Sequence, residues 1–290
     1  MSEKTNNRIC AGIVTYNPNI GLLEKCIASI AGDVDDVVII DNCSRNIMVL
    51  KQFLEKYANL SIIANEKNLG IARALNQIAE FSEDRGCNWF MTLDQDSICP
   101  VGMLERYFKK IDDNSVGMLC PNIQMRVHMD KMFDIKEEYN EVPIAISSGC
   151  LIRLVAWKSV HGFWDYLFID RVDEDFCYAL VEQNWKIIKA NRVILNHEIG
   201  NPKIHYVFGK AFYTDSYPDF RYFFLARNTI IVNSLYHDRT EEGIIKPLLK
   251  RIVKIILAED NRFKKLYYFI KGISAGTLWI LQRKKRNESN

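Results

Sequence analysis

The first hundred residues alternate between short apolar runs and longer stretches with apolar residues three and four positions apart. Ile9–Tyr16, Val37-Val38-Ile39-Ile40, Leu60–Ala64 and Trp89–Leu93 are the short runs, and they predict four buried strands. Between them, Leu22, Leu23, Cys26, Ile27 and Ile30 mark one face of a helix. Leu50, Phe53, Leu54 and Tyr57 mark a second, and Ile71, Leu75, Ile78, Ala79 and Ser82 a third. Pro18 suits the turn or first helical position after the first strand. Repeated β-α units of this length predict an α/β fold with a mainly parallel sheet and helices on both faces. Sheets of that kind place ligands at the carboxyl ends of their strands.

Polar residues stand at those ends. Thr15 and Asn17 follow the first run, Asp41 and Asn42 the second, Asn68 and Gly70 the third, Asp94 and Asp96 the fourth. Singly, each has a plain structural reading: Asp41-Asn42 as a turn, Asn68 as a helix cap. Together they point to a ligand site. Asp94-Gln95-Asp96 is the most informative piece, because two carboxylates at i, i+2 where a buried strand ends suit a hard divalent cation. Mg²⁺ or Mn²⁺ held by one or two carboxylates keeps its other positions for water and phosphate oxygens.

Later parts of the chain are less periodic. Ser147-Ser148-Gly149 breaks an apolar stretch with a small-residue turn that lets backbone approach something closely. An acidic cluster, Asp170 with Asp173-Glu174-Asp175, precedes a helix whose inner face is Phe176, Leu180 and Val181. Asp173 stands near the N-terminus of that helix, where the helix dipole favours a carboxylate, so capping and chemistry both account for it. Lys186–Ala190 and Val193–Asn196 predict two more strands, leading to His197.

The 290 residues suit one large α/β domain with an appendage. Net charge is only +2, but from Ile244 onward twelve Lys and Arg residues face only Glu259, Asp260 and Glu288. A negatively charged partner is therefore expected at the C-terminal end. There, Leu248, Leu249, Ile252, Val253 and Ile256 share one helical face. Phe263, Leu266, Tyr267, Ile270, Ser274 and Leu278 share another, ahead of Arg283-Lys284-Lys285-Arg286. Basic amphipathic helices of this kind lie in anionic membrane interfaces; a helical bundle on the main domain or a homo-oligomer interface is the other reading. Aromatic and basic residues interleave poorly, so nucleic acid is not an expected partner. The eight cysteines form no Cys-x-x-Cys pair and read as buried free thiols. A polar start without a signal peptide, and the lack of a membrane-spanning window, give a cytoplasmic expectation.

Five ordered pieces resemble an inverting, family 2 glycosyltransferase of the GT-A fold. They are Ile13-Val14-Thr15-Tyr16-Asn17-Pro18, Ile39-Ile40-Asp41-Asn42-Cys43-Ser44, Asn68-Leu69-Gly70-Ile71-Ala72-Arg73-Ala74-Leu75-Asn76, Leu93-Asp94-Gln95-Asp96-Ser97 and Val172-Asp173-Glu174-Asp175-Phe176. The variants Asp94-Gln95-Asp96-Ser97 and Phe168-Ile169-Asp170-Arg171-Val172-Asp173, with Arg221–Asn228, are similar to bacterial rhamnosyltransferases that use dTDP-L-rhamnose in polysaccharide assembly. The resemblance implies that Thr15 and Asp41 hold the pyrimidine base. It places Asn17, Asn68, Gly70 and Arg73 along the nucleotide-sugar cleft, Asp94 and Gln95 close to the ribose or sugar, and Asp96 on a metal bridging the diphosphate. Asp173 is then the general base, His197 a further metal ligand, and Ser148, Gly149, Asp175 and Arg227 stand on the acceptor side. Val172 departs from the Glu that many members carry before the base. The implied architecture is a catalytic domain over 1–237, with a nucleotide-sugar half to about 98 and an acceptor half beyond, then a basic helical region over 238–290.

The acceptor implied is a lipid-linked glycan at the inner face of the cell membrane. A UDP-hexose or UDP-galactofuranose donor is the alternative within the class. A sugar nucleotidyltransferase would want a Gly-rich, basic phosphate loop after the first strand, which Ala11–Pro18 lacks. A non-catalytic nucleotide-sugar-binding protein is the third reading.

Overall fold

The computed structural model describes residues 7–125, 135–197, 203–207, 210–214, 217–240 and 243–288. The chain divides into two compact units, one of residues 1–166 with 173–198, the other of 167–172 with 199–290. The sequence had suggested a boundary near residue 237.

In the first unit the chain runs β1 (Ile9–Thr15), α1 (Ile20–Ile30), β2 (Asp36–Asp41), α2 (Ile47–Leu50), β3 (Leu60–Ala64), α3 (Ile71–Asp84) and β4 (Trp89–Asp94). It continues through α4 (Met103–Ile111), β5 (Val116–Met125), β6 (Tyr139–Glu141), β7 (Cys150–Arg153), α5 (Leu154–Ser159), α6 (Val172–Glu182) and β8 (Lys186–His197). The strands form one sheet in the order β3-β2-β1-β4-β7-β5-β8-β6. β3, β2, β1 and β4 are parallel neighbours, β7 runs antiparallel between β4 and β5, and β8 pairs parallel with β5. The sheet is therefore mixed, and its parallel half is the half that was predicted.

Local chemistry explains the helices that flank it. Asn19 caps α1 by accepting from Leu22 N–H at 3.1 Å, and Leu23, Cys26, Ile27 and Ile30 point into the core. α3 seats directly on β1 at Gly12, where an added Cβ would lie 2.2 Å from Ile78 Cγ2. The predicted helix around Leu50–Tyr57 is only one α turn followed by a 3₁₀ segment, Lys51–Glu55. With three residues per turn, Leu50 and Phe53 share the buried side while Leu54 rotates outward. The two strands predicted before His197 are one, β8. A register irregularity opposite Pro121 and Asn122 absorbs the polar Asn191-Arg192 that looked like a turn.

The second unit holds a hairpin, β9 (Lys203–Val207) and β10 (Lys210–Thr214), and three helices, α7 (Arg221–Leu235), α8 (Ile245–Ala258) and α9 (Arg262–Glu288). Its core is Tyr222, Ala226, Ile255 and Phe269, with Leu225, Leu248, Ile252 and Leu266 packed around them. α9 meets α7 through small residues: a Cβ on Gly272 would lie 2.2 Å from the Phe223 carbonyl oxygen, and one on Gly276 3.0 Å from that of Arg227. Lys265, one of the basic residues of the tail, is buried in an ion pair with Glu259 at 2.7 Å.

Much of the apolar surface of α8 and α9 faces away from this core. Ile245 (72% exposed), Leu249, Val253, Ile256 and Leu257 form an open stripe on α8. Phe263 (84% exposed), Tyr267, Ile270, Leu278 and Leu281 recur along one side of α9. Lys246, Lys250 and Lys254 border the α8 stripe one turn apart. The single inner face expected of Leu248, Leu249, Ile252, Val253 and Ile256 is thus split, because the apolar arc of α8 is wider than its contact with α7 and α9. No helix among the described residues is long and apolar enough to cross a membrane.

Candidate active site

Parallel pairing puts the carboxyl ends of β2, β1 and β4 side by side, with Thr15 opposite Asp41 and Val14 opposite Asp94. The loops leaving them are latched to one another. Thr15 Oγ1 donates to Asp41 Oδ1 at 2.8 Å, and Ser44 N–H donates to Asp41 Oδ2 at 2.8 Å. Asp41 is 1% exposed, so its charge is answered chiefly by these two donors. Asn42 donates to the Gly70 carbonyl at 3.1 Å, while its own Oδ1 accepts from Asn65 Nδ2 at 3.0 Å. Asn68 Oδ1 accepts from Gly70 N–H at 2.9 Å, and Gly70 takes the left-handed φ of 85° that the tight entry to α3 requires. Asn17, itself left-handed, accepts from Arg45 N–H at 2.9 Å. Across the β1–β4 pair, Gln95 Oε1 accepts from Tyr16 N–H at 2.9 Å and ties the Asp-x-Asp turn to the loop after β1.

The small-residue turn ahead of β7 is latched to the end of β4. Thr92 Oγ1, in β4, donates to the Ser147 carbonyl at 2.6 Å, and Gly149 N–H donates back to the Thr92 carbonyl at 2.7 Å. Ser148 Oγ accepts from Asp94 N–H at 3.2 Å and shares a 2.7 Å bond with Ser97 Oγ. Ser147, the first residue of that turn, favours the charged form of Asp173.

Asp173 lies in the first turn of α6 and is half-buried. Burial, then the Glu174 charge, and also the charge of Asp94 raise its pKa from 3.8 to about 7, against the opposing pull of Ser147. Asp94 and Asp173 are therefore within electrostatic reach of each other, although they come from distant parts of the chain.

Among the described residues no three His, Cys, Asp or Glu side chains converge as a closed cation cage. The chemistry of the Asp94–Asp96 turn still fits Mg²⁺ or Mn²⁺, which are held by one or two carboxylates with substrate phosphates completing the shell. His197 ends β8 opposite Met125, and its side chain lies outside the described residues.

Several of the candidate residues have protein partners of their own. Arg73 turns along α3 to pair with Glu80 at 2.5 and 2.8 Å. Ser148 is 2% exposed and occupied with the Asp94 turn, Gly149 is buried, and Asp175 is buried on α6. Arg227 belongs to the second unit, where it is buried beside Asn228 and donates to the Leu167 carbonyl at 3.2 Å. That contact joins two motifs noted in the sequence. Phe168, Asp170 and Arg171 are left-handed, a strained run for non-glycine residues. Arg221 grips Asp170 with two nitrogens at 2.7–3.1 Å, and Asn228 donates to the Leu167, Ile169 and Asp170 carbonyls at 2.8–2.9 Å. Sequence reasoning missed Thr92, Ser44 and Asn65 as parts of the site. Only Ser44, inside the motif Ile39–Ser44, carried a signal that could have found it.

With that geometry in view, comparison with known proteins gives a consistent answer. Residues 10–153 match the glycosyl transferase family 2 model. A dTDP-rhamnosyl transferase of Shigella flexneri, RfbF, is 25% identical over 214 residues, covering 69% of this chain and 72% of that protein. The fold is similar to that of GalNAc-T7 in complex with UDP, GalNAc and Mn²⁺, with a TM-score of 0.62 at 11% identity. That match covers 97% of this chain but only 58% of GalNAc-T7. It is also similar to residues 1–349 of S. aureus TarS bound to UDP-GlcNAc, with a TM-score of 0.56 at 16% identity, covering 90% of this chain and 70% of that one. The chain is a glycosyltransferase of the GT-A fold, and its residues 10–153 are a family 2 domain.

Proposed function

We propose that the chain transfers L-rhamnose from dTDP-L-rhamnose to a hydroxyl of a lipid-linked cell-surface glycan intermediate, inverting the anomeric centre. The observation that carries the mechanism is Asp173, held near neutrality at about 7 and within electrostatic reach of Asp94. A carboxylate tuned to that range is about half ionised at neutral pH and basic enough to take a hydroxyl proton. The acceptor oxygen forms the new bond to the anomeric carbon as the bond to the diphosphate breaks. The acceptor proton passes to Asp173, and the nucleoside diphosphate leaves. Thr15, Asn17 and Asp41 shape the pocket for the pyrimidine base, Asn68, Gly70 and Arg73 line its far side, and Asp94 with Gln95 orients the sugar. Asp96, with His197, is the site for Mg²⁺ or Mn²⁺, which when bound offsets charge on the departing diphosphate.

The donor assignment is supported by the relative named for dTDP-rhamnosyl transfer. A UDP-sugar is the alternative, supported by the UDP and UDP-GlcNAc complexes among fold neighbours. A panel of nucleotide sugars, assayed for nucleoside diphosphate release with Mn²⁺ and octyl glycoside acceptors, tests this reading. Turnover of dTDP-L-rhamnose that chelation and Asp96→Ala both abolish is the expected result. Equal turnover in excess chelator removes the metal role, and preference for a UDP-sugar removes the rhamnose assignment.

The second unit is proposed to hold the enzyme on the inner face of an anionic membrane, through the exposed apolar stripes of α8 and α9 and the lysines beside the first. Leu249→Ser with Val253→Ser should weaken binding to phosphatidylglycerol vesicles. Unchanged vesicle binding, with dimers of the parent dissociating in the variant, assigns the stripe to a homo-oligomer instead.

A further inference from the structure

We infer that Asn65 and Gln77 are positioning residues for the donor pocket, and that through Asn42 they lock the entry of α3 to the turn bearing Asp41. The inference rests on the reading of Asp41, Asn68 and Gly70 as donor-binding; Asn65 and Gln77 act through Asn42 and Gly70, not on the ligand. β3 is an edge strand, so its end has a strand neighbour on one side only. The loop that leaves it carries Asn68 and Gly70, and contacts other than strand pairing have to fix that loop.

Asn65 is the hub. Its backbone N–H donates to the Asp41 carbonyl at 2.8 Å. Its side-chain Nδ2 donates to Asn42 Oδ1 at 3.0 Å and to Gln77 Oε1 at 2.9 Å, and Gln77 Nε2 returns a bond to Asn65 Oδ1 at 2.8 Å. The two amides thus face each other in a closed double pair, from the residue after β3 to the second turn of α3. Asn42 completes the chain. Its Nδ2 donates to the Gly70 carbonyl at 3.1 Å, and its Oδ1 accepts also from Leu69 N–H at 3.4 Å.

Two backbone groups decide which way every amide points. The Gly70 carbonyl can only accept and Leu69 N–H can only donate, so Asn42 turns its nitrogen to the first and its oxygen to the second. Asn65 must then offer its nitrogen to that oxygen, which leaves its own oxygen for the Gln77 nitrogen. Flipping any one amide sets donor against donor or acceptor against acceptor. Asn42 is 4% exposed, so water does not replace a partner lost there. In the one arrangement that satisfies all three amides, the Asp41 turn, the loop after β3 and the left-handed Gly70 form a single piece. Preorganisation of that kind acts on donor affinity and leaves the transfer step alone.

The test is calorimetric titration of the full chain with dTDP and with UDP in Mn²⁺, for the parent, Asn65→Asp, Gln77→Met and Asp41→Asn. Asn65→Asp keeps the shape of the side chain but puts an acceptor where Asn42 and Gln77 need a donor. It should weaken the nucleotide that the parent binds by about tenfold. Gln77→Met fills the same space without the double pair and should weaken it by about fivefold. A role in folding alone lowers the binding stoichiometry and leaves the Kd of the folded fraction unchanged. With dTDP-L-rhamnose and an octyl glycoside acceptor, both variants should raise the donor KM by the same factors and keep kcat and the acceptor KM within twofold. A Kd within twofold of the parent in both variants, with Asp41→Asn binding at least tenfold more weakly, overturns the positioning role and leaves the pocket reading intact. A loss confined to kcat overturns it as well. Asp41→Asn binding as tightly as the parent overturns the pocket reading and the positioning role together.

Discussion

Replacing Asp173 by Asn should make the protein more stable as it abolishes transfer. The pKa of this group stands at about 7 in the fold, against 3.8 for an ordinary aspartate. Between those two values the folded chain binds a proton that the unfolded chain does not. Its contribution to stability is fully present below 3.8 and is lost as pH rises through about 7. With about 1.4 kcal/mol per pH unit, ionising Asp173 costs the native state roughly 4 kcal/mol by pH 8 and a little under 2 kcal/mol at pH 5. Asn has no such dependence. The advantage of Asp173→Asn over the parent should therefore grow by about 2.5 kcal/mol between pH 5 and pH 8, before allowance for solvent reaching the half-buried side chain. For a chain of this size that is on the order of 5 °C in Tm. Parallel thermal unfolding of both proteins at pH 5, 6, 7 and 8 measures it. A Tm difference that is flat across this range would refute the claim that Asp173 is held away from its ionised form.

Other consequences are open to measurement. In the parent enzyme kcat/KM should rise with pH through about 7, since Asp173 must be unprotonated to act as base; a profile flat from pH 5 to 8 contradicts it. Thr15→Val removes a donor from the buried Asp41 carboxylate and should cost about 2 kcal/mol in chemical denaturation while weakening dTDP binding. Gly272→Val forces a side chain against the Phe223 carbonyl and should destabilise the second unit by roughly 2–3 kcal/mol, read as lost near-ultraviolet circular dichroism from its tyrosines.

The parallel half of the sheet was legible because β1, β2 and β4 are buried on both faces, the half-buried edge strand β3 is still a short apolar run, and α1 and α3 keep a clear 3.6-residue period. The rest was hidden by particular residues. β5 contains Gly117 and Pro121, which break a strand pattern, and Pro121 is tolerated because the β5–β8 register slips beside it. Asn191-Arg192 looked like a turn inside what is one strand. α8 has more apolar surface than its neighbours cover, so periodicity revealed a helix but not which side it buries. In the site, Asp94, Asp96 and Asp173 stood out because paired acids at strand and helix ends are chemically conspicuous. Thr92 did not, since one threonine inside a buried strand has no distinguishing pattern until the Ser147 carbonyl is seen accepting from it. Arg73 shows what sequence cannot: a cation in a family motif suggests a ligand, while its partner Glu80, two turns along the same face of α3, is seen only in the structure.

The account turns on Asp173 as the group that takes the acceptor proton while the donor is held elsewhere. The most direct measurement is turnover of dTDP-L-rhamnose by Asp173→Asn beside its affinity for dTDP, each compared with the parent at pH 8 in Mn²⁺. Affinity within twofold and turnover reduced at least a thousandfold is the predicted outcome. Turnover retained at the parent rate with unchanged affinity would contradict it.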